Sequence, residues 1–170
     1  DHSLDVNQYE HTAWKLSEGF SKGNIWSIAQ TPDGYLWLGT EFGLLRFDGV
    51  RAVPWQPPAG EHLPSSDITS VSATRDGALW IGTYKGLISW KDGKLTHYPE
   101  FDGLIVEALL EDREGTIWAV AGWTLSQARL CSIHNGKSQC YGRNRSPGSG
   151  VTTVYEDSKG NLWAGAMDGV

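Results

Sequence analysis

Apolar residues along this chain fall into short runs of a few positions, broken by Gly and by Asp-Gly, with no stripe at helical spacing. Four of these runs share one pattern. Asp33-Gly34-Tyr35-Leu36-Trp37-Leu38-Gly39-Thr40 returns as Asp76-Gly77-Ala78-Leu79-Trp80-Ile81-Gly82-Thr83. It returns again as Glu114-Gly115-Thr116-Ile117-Trp118-Ala119-Val120-Ala121 and as Lys159-Gly160-Asn161-Leu162-Trp163-Ala164-Gly165-Ala166. The tryptophans are 43, 38 and 45 residues apart. Gly stands three residues before each of them, Ile28, Val71, Leu109 or Val154 nine before, and Ile25, Ile68, Val106 or Val151 twelve before. Two apolar runs closed by a Gly turn predict an antiparallel hairpin. Beyond Trp37 and Trp80, the stretches from Gly43 to Gly49 and from Gly86 to Gly93 predict a third strand and a second turn. A fourth strand follows at about 51–55 and 94–98.

Four antiparallel strands in about 40 residues, repeated in register, have the period of a β-propeller blade. The expected class is all-β: a β-propeller fragment of four-stranded antiparallel blades, about three and a half of them present. A single sandwich would not return a Trp in register. The blades are expected at about 25–55, 68–98, 105–141 and, incomplete, 151–170. Residues 1–24 form an N-terminal segment, with an outer strand expected at 11–16. Val170 stands seven residues after Trp163, where Leu44 and Leu87 stand after theirs, so the sequence stops as a third strand begins. The only Met is Met167, and the chain is expected to be a piece of a longer one. An open arc exposes an apolar face at each end, and self-association through those ends is expected.

Composition narrows the function. Gly, at 21 of 170 residues, and nine Trp suit a turn-rich, aromatic-packed fold; ordinary Gly usage is about 7%. Against 14 Lys and Arg stand 20 Asp and Glu, a net charge of −6 with no basic cluster, so nucleic acid is not an expected partner. No apolar stretch approaches the roughly 20 residues that span a bilayer, and membrane contact is expected only through parts of a parent chain outside this sequence. Phosphate-loop, zinc-protease, nucleophile-elbow and calcium-loop motifs are absent, and the five His sit at unrelated places in the repeats. The chain is therefore expected to carry no catalytic set, metal or cofactor of its own.

The run Ile25 to Gly49 closely resembles the two-component regulator propeller repeat, and Ala13-Trp14-Lys15-Leu16-Ser17-Glu18-Gly19 is similar to that family's lead-in, with Phe20 where Leu-Pro is common. The resemblance weakens in the third repeat, where Ala119-Val120-Ala121 replaces the Gly-Thr step. It implies the periplasmic, ligand-sensing region of a bacterial membrane-bound histidine kinase, many relatives of which respond to carbohydrate fragments. A propeller lyase or hydrolase, for which streptogramin lyase offers a similar Asp-Gly-x-x-Trp repeat, and a protein-interaction scaffold are the alternatives.

The four repeated Trp are read as packing between blades, and the Asp-Gly pairs as turns whose residues accept positive φ. Ligand chemistry is expected where the repeat breaks. The third repeat is lengthened at Gly122-Trp123-Thr124-Leu125-Ser126-Gln127, and the linkers at 56–67 and 142–150 are long. On the face formed by the loops between second and third strands and by the linkers from a fourth strand to the next blade, Glu41, Tyr84, Trp123, Arg143 and Arg145 are the candidate contacts for a small anionic or sugar-like ligand. Cys131 and Cys140 flank Asn135-Gly136, a type I′ hairpin signal. Counting outward from that turn pairs His134 with Lys137, Ile133 with Ser138, Ser132 with Gln139 and Cys131 with Cys140. The cysteines then fall on a non-hydrogen-bonded pair about 4.5 Å apart at Cα, close enough for a disulfide of the kind an oxidising compartment sustains. Two buried free thiols are the alternative.

Overall fold

The computed structural model describes Ala13 and residues 23–141 and 150–167. Apart from Ala13, the strand expected at 11–16 lies outside the described residues, as do Arg143, Arg145 and Val170. Strands β1 (Ile25–Gln30), β2 (Leu36–Thr40), β3 (Gly43–Phe47) and β4 (Ala52–Pro54) form one antiparallel sheet in that order. β5 (Ile68–Ala73), β6 (Leu79–Thr83), β7 (Gly86–Lys91) and β8 (Lys94–Tyr98) form a second. β9 (Ile105–Glu111), β10 (Ile117–Gly122), β11 (Arg129–His134) and β12 (Lys137–Cys140) form a third. β13 (Val151–Glu156) and β14 (Leu162–Ala166) pair as a hairpin. The fold is all-β, a propeller segment whose sheets stack in chain order.

Each β-hairpin between first and second strands closes through the same backbone bonds. Gly34 N–H donates to Thr31 O and Thr31 N–H to Tyr35 O, and the pattern recurs at Thr74, Asp112 and Asp157. The side chains reach it by two routes. In the first two blades Thr31 and Thr74 donate their hydroxyls to Asp33 Oδ1 (2.5 Å) and Asp76 Oδ1 (2.6 Å), and Trp37 Nε1 donates to Thr31 Oγ1 at 2.9 Å. In the last two a single Asp does both tasks. Asp112 Oδ1 accepts the N–H groups of Glu114 and Thr116 while Oδ2 accepts Trp118 Nε1 at 2.8 Å, and Asp157 repeats this with Lys159, Asn161 and Trp163. Within Asp33-Gly34 and Asp76-Gly77 only the Gly takes positive φ, so there the aspartate serves as a hydrogen-bond acceptor rather than as the left-handed residue expected of it. Lys91 and Thr74 together hold the Asp76 carboxyl down at about 2.

Blades meet where an inner strand crosses the second strand of the blade before it. A Cβ on Gly39 would lie 2.9 Å from Ile68 Cγ2; one on Gly82 would fall onto Ser70 Oγ and 2.8 Å from the Val106 carbonyl oxygen. The missing side chain lets Ser70 Oγ donate to Val106 O at 2.7 Å, and Ser27 Oγ accepts Val71 N–H at 3.0 Å in the same way one junction earlier. Blade three trades the Ser-Gly pair for Ala108 opposite Val120, and Val120 packs on Val151. That exchange of a hydroxyl bridge for aliphatic volume explains the degenerate third repeat. Outward of these contacts, Trp37 packs against Trp55 and Trp90 at 6.1 and 5.7 Å between ring centres, and Trp80 stacks on Tyr98 at 4.8 Å. Trp37 and Trp80 are buried between blades and Trp118 is half-buried, but Trp163, on the last hairpin, is 51% exposed. At the turn edge Arg75 pairs with Glu111 and donates to the carbonyls of Asp112 and Arg113; Arg113 repeats this with Glu156 and Asp157 O. Each such exposed ion pair contributes under about 1 kcal/mol.

All four inner strands carry a β-bulge at the same place, leaving Trp26, Thr69, Glu107 and Thr152 outside the pairing register. A bulge re-aims one side chain and bends its strand. Burial, reinforced by the charge of Asp67, pushes the Glu107 carboxyl above its ordinary value.

The Asn135-Gly136 turn has φ of 50° and 71°, and the register is His134–Lys137, Ile133–Ser138, Ser132–Gln139 and Cys131–Cys140. The cysteines form a disulfide, with Cα atoms 3.9 Å apart, closer than the expected 4.5 Å. It ties the exposed strand β12 to buried Cys131, and β12 leads Tyr141 onto Trp118 at 5.9 Å.

Three outcomes are expected. Gly82→Ala forces Val106 or Ser70 aside and lowers unfolding stability by about 1–3 kcal/mol in denaturant titration, whereas Gly165→Ala, whose site meets only Thr153 Cγ2 among the described residues, costs less. Replacing both cysteines by Ala costs about 2–4 kcal/mol, with a change in Trp118 emission as Tyr141 loosens. Because the folded Glu107 carboxyl titrates above its unfolded value, the stability it contributes is present at low pH and is lost as pH rises from roughly 4 upward. Glu107→Gln should therefore raise Tm at pH 7 and leave it unchanged at pH 3.

Candidate functional site

Blade-edge loops are free of the hydrogen-bond ladder, so their residues can vary without unpairing a strand. On the edge opposite the Asp-Gly turns, the loops after β2 and β6 are two residues long and closed by a threonine. Thr40 and Thr83 donate to Gly43 O and Gly86 O, and accept the N–H groups of Phe42 and Lys85. Blade three has no such threonine. Its chain continues through Trp123 and a short 3-10 turn, Leu125–Gln127, before β11. The loop folds back so tightly that a Cβ on Gly122 would lie 2.5 Å from Ala128 Cα, and Ala128 O accepts the N–H of Val151, tying the loop to the fourth blade.

This loop walls a groove of about 400 Å³ lined by Tyr84, Ile105, Trp123, Thr124, Ser126 and Met167. Three blades contribute to it. Tyr84 stands just beyond β6, held by its N–H bond to Asp67 O; Met167 stands just beyond β14, with its N–H on Gly150 O. Trp123 lies over Gly103, whose φ is +74° and whose position would put a Cβ 2.9 Å from Trp123 Cζ3. Gly103 therefore supplies the flat floor under the indole. The ring remains 65% exposed, Tyr84 51% and Met167 70%, so all three are open to solvent. The hydroxyls of Thr124 and Ser126 lie 3.1 Å apart on the loop.

Of the five residues singled out in the sequence, Tyr84 and Trp123 share this groove. Glu41 does not line it: its Oε1 accepts the N–H of Asn24 at the edge of blade one. Arg143 and Arg145 lie outside the described residues. The long linker at 56–67, a candidate for ligand chemistry in the sequence, is partly packed: Leu63 lies against the core between blades one and two. Met167 and Ile105 were missed. Met167 falls four residues after Trp163, the offset of Glu41 and Tyr84 after their Trp, so the register of the repeat held the signal. The bulge residues were missed too, although Trp26, Thr69, Glu107 and Thr152 include an aromatic, a carboxylate and two threonines between positions that stay aliphatic in every repeat. Among the described residues no group of three or more His, Cys, Asp or Glu is placed to hold a metal ion.

Residues 19–42, 62–85 and 146–168 match the two component regulator propeller family, and the match passes over blade three. No curated protein matches the chain. Among solved structures, the extracellular domain of BT4673 of B. thetaiotaomicron, described as a hybrid two component system, is 24% identical with a TM-score of 0.63, over 84% of this chain and 20% of that one. The corresponding domain of BT3049 of B. thetaiotaomicron is 18% identical, TM-score 0.59, over 91% and 29%. Virginiamycin B lyase from Staphylococcus aureus is 17% identical, TM-score 0.61, over 84% and 48%. The chain spans between a fifth and a half of the length of these proteins, and at such identities the likeness establishes the fold. Three stretches of this chain match two-component regulator propeller repeats, the third repeat does not, and the chain's stacked sheets are consecutive blades of a propeller.

Proposed function

We propose that this chain is part of the extracytoplasmic sensing region of a bacterial two-component receptor, in the periplasm, and that it reads a small-molecule ligand in the groove of Tyr84, Trp123 and Met167. The observation that carries the reading is the groove itself. A lengthened loop in one blade brings an open indole beside a tyrosine and a methionine from its neighbours, at the edge where strand pairing makes no demand on residue type. A rigid scaffold presenting a variable aromatic cleft is a common form of binding site. The family match and the likeness to extracellular domains of two-component systems support the sensor assignment. The disulfide supports an oxidising compartment.

The likeness to virginiamycin B lyase gives a catalytic reading a specific footing. Quinupristin, which that enzyme has been seen to bind, separates the two. The sensing reading expects it to be recovered unchanged after incubation with this chain, and conversion would establish the lyase reading.

A thermal-shift screen with small metabolites and oligosaccharides should find a compound that raises Tm. Affinity for that compound should fall at least about tenfold, or about 1.4 kcal/mol, in a Tyr84→Ala, Trp123→Ala double variant. Unchanged affinity in that variant would remove the groove from the account.

A further inference from the structure

We propose that the Cys131–Cys140 disulfide is a reducible latch: it is the side-chain anchor of strand β12, and a dithiol reductant that opens it releases β12 and Tyr141 while the rest of blade three stays folded. The outer strands of the first two blades show what an anchor at this place looks like. Ala52 on β4 stands opposite Phe47, and Leu95 on β8 stands opposite Trp90. Both are buried, Ala52 with Leu38 and Leu45, and Leu95 in the core between blades one and two. The same place on β12, opposite Ile133, is held by Ser138, which is exposed. Lys137 and Gln139 are exposed as well, so β12 brings no buried side chain to the blade. It is held by its backbone pairing with β11 and by the bond from Cys140 to Cys131. Backbone hydrogen bonds gain little net of water, too little to offset the entropy of ordering polar residues, so a strand of this kind stays paired only while it is tied.

The two cysteines sit on opposite sides of the boundary with solvent. Cys131 takes the place that Ile88 has in blade two and is buried with Ala119 and Ile133, whereas Cys140 takes the place of His97 and is exposed. A thiolate of the reductant therefore attacks at Cys140 Sγ; the S–S bond breaks and Cys131 leaves as thiolate, which takes up a proton. The second thiol of the reductant then attacks the mixed disulfide and frees Cys140. Two electrons and two protons pass to the protein, and the reductant ends as its own disulfide. Tyr141 depends on this strand. Its counterpart Tyr98, stacked on Trp80 and 3.1 Å from Ser89 at the hydroxyl, follows a strand that Leu95 anchors. Tyr141 follows Cys140 directly, with its N–H on Leu130 O at 2.8 Å, its hydroxyl 3.3 Å from Ser132 Oγ and its ring 5.9 Å from that of Trp118. Release of β12 uncovers that side of Trp118 and leaves the outer ladder groups of β11 open to another strand.

Hydrogen exchange read by mass spectrometry on the full chain tests this, comparing oxidised protein with protein reduced by dithiothreitol at neutral pH without denaturant. Amide protection over 137–141 should fall at least about tenfold on reduction, while β5–β7 and β9–β10 keep theirs. Cys140→Ser, which leaves Cys131 in the core, should show the same loss with no reductant. Ser138→Leu supplies the kind of anchor that Leu95 gives β8, and in that variant reduction should leave protection over 137–141 close to the oxidised level. Ser138→Ala, after Ala52, is the second variant should leucine disturb the packing. Four results would each overturn the proposal: unchanged protection over 137–141 in the reduced wild type, a disulfide that dithiothreitol does not open without denaturant, loss of protection through all the blades, or equal loss in both Ser138 variants.

Discussion

The distance at which an inner strand can cross the second strand of the preceding blade governs this structure. Where that second strand carries Gly39 or Gly82, the next backbone comes close enough for Ser27 and Ser70 to bond across the gap. The close approach then places Ile68 and Val106 in the interior and turns Trp37 and Trp80 into buried wedges. Blade three shows that the requirement concerns volume and polarity together. Val120 fills the space of the glycine, and Ala108 gives up the hydroxyl that would otherwise need the gap. Either pair is self-consistent, whereas mixing them would bury an overlap or leave a cavity.

The turn edge is committed to structure. Thr-Asp or a lone Asp satisfies the turn and holds the indole nitrogen, and two arginines reach into the following blade. In Asp112, burial works to raise the carboxyl, but the bonds from Trp118, Thr116 and Glu114 outweigh it and hold the group below its ordinary value, so the charge is a structural acceptor. The opposite edge carries few such obligations once a threonine has closed each short loop. That asymmetry is the physical reason an inserted loop with Trp123 can stand open beside Tyr84 and Met167 without cost to the blades beneath it.

Much of the fold was legible because a repeat supplies its own comparison. Four tryptophans in register placed the hairpins, and Asn135-Gly136 fixed the pairing of Cys131 with Cys140 through turn geometry alone. These are local facts, set by residue spacing along a strand and by the φ values a turn demands. The chemistry of the first turns was less legible. Asp33 and Asp76 suggested left-handed backbone, while the structure uses their carboxylates and leaves positive φ to the glycines.

The sequence by itself determined the class, the blade order and the register of the β11–β12 hairpin, since these follow from periodicity and turn type. Tertiary structure alone decided which loop residues meet. Glu41 and Tyr84 hold equivalent places in their repeats, yet only Tyr84 faces the lengthened loop of the next blade, and Met167 joins it from a blade further on. Such meetings depend on the stacking of sheets, which positions along one strand do not encode. For the same reason Glu107 is pushed up by burial and by Asp67, a neighbour forty residues away in sequence that the stacking of blades brings near.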